Sequence, residues 1–155
     1  MRRLPLATIL AVLGLSACAH APDSTQSYVG QTIPAADDGV IAGAITGYVV
    51  AHLPPASSTL WLAPVPASGV IDKTSPLPAL VAADLRKAGF ALSTATADHS
   101  GAHTVRYVVS ALDKAVLLRI TIDRLQGSQI FSPSQDGSLA ASSPMTEREA
   151  SNEHP

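Results

Sequence analysis

From Thr104 to Asp123 apolar and polar residues alternate with period two. Val105, Tyr107, Val109 and Ala111 fall on one side, against Thr104, Arg106 and Ser110; then Val116, Leu118, Ile120 and Ile122 fall against Arg119, Thr121 and Asp123. A strand turns successive side chains to opposite faces. The pattern therefore predicts a hairpin with one apolar face, turning at Asp113-Lys114. Ser58–Ala63 alternates in the same way, with Leu60 and Leu62 opposed to Thr59 and Trp61, and Phe90–Thr94 and Ser128–Phe131 read as shorter strands.

Two stretches change to helical period. Between Gly39 and Leu53 the pairs Val40/Ile41, Ala44/Ile45 and Tyr48/Val49 recur at helix spacing, with Asp37-Asp38 at the positive end and Pro54-Pro55 as the stop. Gly39, Gly43 and Gly47 lie four apart, a bare ridge expected to pack closely against the sheet of the same domain. The second helix has Ser75 as N-cap, Pro76 at its first position and an apolar stripe of Leu77, Leu80, Val81, Leu85 and Ala88. Arg86 and Lys87 complement the dipole in its last turn, and Gly89 supplies a left-handed terminator.

This order predicts an α+β domain over residues 37–131: a small antiparallel or mixed sheet of four to five strands, with two helices packed on one face. Arg106, Arg119, Thr121 and Asp123 are left on the other face for water or a partner. Residues 18–36 carry Pro22 and Pro34 among Ser, Thr and Gln, and read as a flexible tether. Within it Ser27–Ile33 is short and apolar enough to add to a partner's sheet edge, although plain linker is the simpler expectation. Residues 132–155, rich in Ser, Pro and Glu without apolar periodicity, read as a disordered tail.

The first 17 residues stand apart. Arg2 and Arg3 lead an apolar stretch that closes on small residues, the layout of a secretory signal. The stretch is shorter than the ~20 residues a membrane-crossing helix needs. Leu15-Ser16-Ala17-Cys18 resembles a bacterial lipobox. That resemblance implies cleavage between Ala17 and Cys18 and acyl chains on Cys18, the single cysteine of the chain. Each buried methylene contributes ~0.8 kcal/mol, so two or three chains hold a protein on a membrane where one does not. Ala19 follows where Asp would favour inner-membrane retention in enteric bacteria. By that analogy the expected location is the outer membrane, with the domain facing the periplasm.

Composition narrows the functional classes. The formal charge is −2 and becomes −4 once Arg2 and Arg3 are cleaved away, with no basic cluster in the remainder. Direct nucleic-acid binding is not expected, because counterion release needs clustered Lys and Arg. The one close histidine pair, His99 and His103, flanks Ser100-Gly101 in a loop without a third ligand, so no metal site is expected. No nucleophile elbow or glycine-rich phosphate loop is present, so neither an enzyme, a cofactor nor a small-molecule substrate is expected. Trp61 reads as packing at the edge of the core rather than as a partner's anchor.

Asp84–Leu92, Val105–Val109 and Leu117–Ile120, with the lipobox ahead of them, resemble the TrbH-type conjugal-transfer lipoproteins. The resemblance spans residues 40 to 131 and the signal, and its motifs are structural. It implies a scaffold component of the mating-pair-formation apparatus, a type IV secretion system that moves plasmid DNA, with the periplasmic and outer-membrane subunits of that channel as partners. The alternative is an outer-membrane binding module for envelope assembly or for regulating peptidoglycan synthesis.

Overall fold

The computed structural model describes residues 26–30, 35–66, 75–94 and 100–149. The chain runs β1 (Tyr28–Val29), α1 (Asp38–His52), β2 (Thr59–Leu62), α2 (Leu77–Lys87), β3 (Ala91–Leu92), β4 (His103–Leu112), β5 (Ala115–Ile122), β6 (Leu125–Pro133), β7 (Leu139–Ala141) and β8 (Thr146–Glu149). The signal segment, Cys18 and most of the expected tether lie outside the described residues.

The alternating segment forms the hairpin, β4 against β5, with Val105 opposite Ile122 and Val109 opposite Leu118. β6 extends it antiparallel, and β2 and β3 lie parallel on the other side of β4, in the order β3-β2-β4-β5-β6. Asp113 and Asp123 in the two turns have φ of 49° and 52°, a left-handed conformation that Asp tolerates better than most residues. Ala111, expected on the apolar face, is exposed, although Val116 opposite it is buried.

Both helices pack on one face. Ile41, Ile45 and Val49 of α1, and Leu77, Val81 and Leu85 of α2, share a core with Val105, Tyr107, Leu118, Ile120 and Phe131. The α2 start follows the sequence with a shift of one: the helix begins at Leu77, whose amide is accepted by the Ser75 hydroxyl at 3.2 Å. Its end is a Schellman arrangement. Gly89 at φ 98° donates its amide to Arg86, and the Phe90 amide reaches the Leu85 carbonyl, which carries the Phe90 ring into the core. Leu80, assigned to the stripe, is 37% exposed.

Three expectations are corrected. Among the described residues the sheet has eight strands, not four or five. The glycine ridge of α1 faces away from the sheet: Gly39, Gly43 and Gly47 are exposed, with no side chain or backbone near where a Cβ would stand. The β-branched residues at 41, 45 and 49 take the inner side because they exclude more apolar area from water.

The third correction concerns the segments read as tether and tail. Tyr28-Val29 pairs in parallel with Val108-Val109 of its own chain, continuing the β4 edge beyond the end of β2. Buried Ser27 fills the joint: its hydroxyl accepts the Tyr107 amide at 3.2 Å, and its own amide donates to Pro64. In the expected tail, β7 and β8 together run antiparallel to β6, with a two-residue register shift taken up by a bulge at Ser142–Met145. The serines that suggested disorder supply the hydrogen bonds. Ser143 Oγ accepts the Ile130 amide, Ser142 donates its amide to the Ile130 carbonyl, and Ser134 and Ser138 brace the turn on Asp136.

Candidate functional site

Ala17 and Cys18, the expected cleavage and lipid-attachment positions, lie outside the described residues, as does His99. Among the described residues no helix is long and apolar enough to cross a membrane, and no three His, Cys, Asp or Glu side chains stand close enough to hold a metal ion. His103 is held by Asp123: Nδ1 lies 2.7 Å from Oδ2, while Oδ1 of the same carboxylate accepts the Thr104 amide at 2.9 Å. That pair pins the β5–β6 turn to the start of β4.

Two clusters join distant parts of the chain. At the start of α1, Asp38 is buried; Oδ2 accepts the Ser75 hydroxyl at 3.1 Å, and Oδ1 has no partner. Burial pushes its carboxyl pKa up, the hydroxyl of Ser75 partly offsets this, and the charge of Asp37 adds to the rise. Asp37 itself accepts the Leu139 amide and so ties β7 to α1. At the other end of α1, His52 Nδ1 donates to the Tyr48 carbonyl at 2.8 Å and Nε2 lies 3.0 Å from Glu147 of β8. The Tyr48 ring tilts over His52 with centroids 4.3 Å apart. Tyr48 also lies where a Cβ on Gly127 would stand, 2.7 Å from its Cε2, so only glycine lets the helix settle there. The Tyr48 hydroxyl is buried without a partner, and burial with the nearby Glu147 charge raises its pKa to about 12. Both clusters fasten the last strands to the first helix. They are structural joints.

The side of the sheet away from the helices is arranged differently. The register places Arg106, Thr121, Gln126 and Arg148 in one row across four strands, where Arg148 Nε donates to Gln126 Oε1 at 2.6 Å. In the next row stand Tyr28, Val108, Arg119, Ser128 and Thr146, followed by Ser110, Leu117 and Ile130. Trp61, half-buried, lies on this side beside Thr104. Arg119 and Arg148 are exposed and Arg106 is half-buried. Among the described residues no carboxylate occupies a strand position on this side. Glu147 and Glu149 fall on the helix side, opposite Gly127 and Leu125, and Asp113, Asp123 and Asp136 lie in turns.

Alternation in the sequence places Arg106, Arg119 and Thr121 on this face, as the register does, but Thr121 is buried there rather than open to water or a partner. Arg148 and Tyr28 lie on strands that the sequence reads as tail and tether, and Ile130 lies on the strand read at Ser128–Phe131, whose pattern assigns it to no face. Asp123, expected on the face, is instead drawn into the turn by His103 and Thr104.

Residues 21–149 match the family model described as conjugal transfer protein TrbH. Neither a curated protein nor a solved structure matches the chain.

Proposed function

The chain belongs to the TrbH family of conjugal transfer proteins, and from that premise we propose that it is an outer-membrane lipoprotein, anchored through acyl chains on Cys18, that acts as a non-catalytic scaffold of the conjugative transfer apparatus. A role in conjugal transfer follows from membership itself. The observation that carries the finer reading is Leu15-Ser16-Ala17-Cys18, placed directly ahead of the matched region. The single cysteine stands where lipidation needs it, with a charged and apolar leader upstream and the first described strand beginning downstream at Tyr28. A lipid-anchored domain is confined near one membrane, which raises its effective concentration for partners assembled there. The non-catalytic reading draws support from the way the titratable side chains are spent in separate structural pairs, His103 with Asp123 and His52 with Glu147.

Two measurements test it. Clean deletion of the gene is expected to abolish plasmid transfer without slowing growth. The variant Cys18→Ser is expected to lose incorporated palmitate and to leave the outer-membrane fraction. A Cys18→Ser protein that remains in that fraction and supports normal transfer would overturn the lipoprotein reading.

A further inference from the structure

We infer that the open face of the sheet is the surface by which this protein holds its partner, and that the segment it takes is a carboxylate-bearing stretch of polypeptide with interspersed apolar side chains. The existence of a partner rests on the scaffold reading above; the location and the chemistry come from the face.

Charge makes the first part of the argument. The chain is acidic overall, with a formal charge of −2, yet this face presents Arg106, Arg119 and Arg148 and, among the described residues, no carboxylate at a strand position. Strands lie ~4.8 Å apart, so Arg106 and Arg148, at the two ends of one four-strand row, are roughly 14 Å apart, with Arg119 between them in the next row. A guanidinium binds a carboxylate through two parallel hydrogen bonds, and a rigid ladder fixes where those pairs can form. Apolar area makes the second part. Tyr28, 42% exposed, and Ile130, 38% exposed, lie beside the arginines with Val108 and Leu117 near them. The face therefore fits an acidic segment that also buries apolar side chains.

A lipid surface fits it less well. Gln126, Ser128 and Thr146 stand among these side chains, and pressing them against acyl chains would strip their water without replacing its hydrogen bonds. A polypeptide brings donors and acceptors of its own.

The test uses the full-length chain in cells that carry the transfer apparatus and lack the chromosomal or plasmid copy of this gene. A photoreactive benzoylphenylalanine at Ser128 or Ile130 is compared with one at Val50, on the outer side of α1. The expected result is a protein adduct from the sheet positions only, to an apparatus subunit, mapping to a peptide rich in Asp or Glu. Adducts to lipid, adducts equal at Val50, or a crosslinked peptide without acids would each overturn the proposal. In the same cells Arg119→Glu with Arg148→Glu is expected to lower transfer by at least about tenfold. Arg86→Glu with Lys87→Glu makes the same change in charge on α2 and is expected to leave transfer within about twofold, with blots verifying equal protein levels. Exchange of an acid for Arg in the crosslinked peptide should restore transfer to the reversed variant. If deletion abolishes transfer but the sheet positions give no adduct and the reversal no defect, the face is wrong and the scaffold reading stands. If deletion leaves transfer intact, the scaffold reading itself fails.

Discussion

The two faces of the sheet carry side chains from the same strands and have opposite characters. On the helix side Val105, Tyr107, Leu118, Ile120 and Phe131 are buried under α1 and α2. One residue further along from Val105, Leu118 and Phe131, Arg106, Arg119 and Ser132 meet solvent. Period two makes the separation complete, since a residue cannot lean toward both faces. The contrast teaches that stability and recognition are divided here by sheet face rather than by region of the chain. The helix side tolerates little change, whereas the open side is free to carry charge.

Substitutions should separate the faces by magnitude. The largest effect is expected from Ile120→Ala on the helix side, about 2–5 kcal/mol of unfolding free energy lost, read by urea denaturation. Gly127→Ala follows, at about 1–3 kcal/mol, because the new methyl must displace the Tyr48 ring and the sulfur of Met145 at 3.0 Å. Its cost should shrink when Tyr48→Leu is added, a non-additivity that a double-mutant cycle measures. Full additivity would show that Tyr48 is not what the methyl meets.

Asp38 comes next and sharpens the comparison, as a charge placed on the wrong side. Its folded pKa lies above the usual 3.8. The folded state therefore holds the proton more tightly, and the stability this supplies is complete below pH 3.8 and is lost as pH rises through the folded value. Asp38→Asn keeps an acceptor for Ser75 and removes the ionisation. The variant should gain on the natural protein as pH rises from 3 to 7, ending equal or better by about 1 kcal/mol. A gap that does not change with pH would refute the assignment. The smallest effect is expected on the open face, where Arg119→Ser should alter stability by no more than about 0.5 kcal/mol, measured in the same urea series. A loss as large as that of Ile120→Ala would erase the distinction between the faces.

Much of this was legible along the chain. The hairpin, α2 with its Gly89 terminator, and the inward set on β5 follow from local pattern, because period and turn chemistry are properties of neighbouring residues. The TrbH resemblance, carried by those same segments, agrees with the match over residues 21–149. The eighth strand was not legible. Thr146-Glu147-Arg148-Glu149 is exposed throughout and has no apolar face to betray it. It exists because the outer edge of β6 offers backbone groups that need partners, and because His52 holds Glu147 from a helix almost a hundred residues away. β1 is two residues long and is placed by Ser27 completing a joint between strands.

What the amino-acid order settled alone was therefore the local periodicity, the breaks and caps, and which strand residues oppose each other in polarity. The three-dimensional packing decided the rest: which side of α1 turned inward, leaving its glycines in solvent, how the tether and tail segments filled the edges of β4 and β6, and how arginines from three separate strands came to share one face. The reason is range. Periodicity is set by bonds between neighbours, whereas an edge strand or an assembled surface is stabilised by groups that meet only after the core has formed.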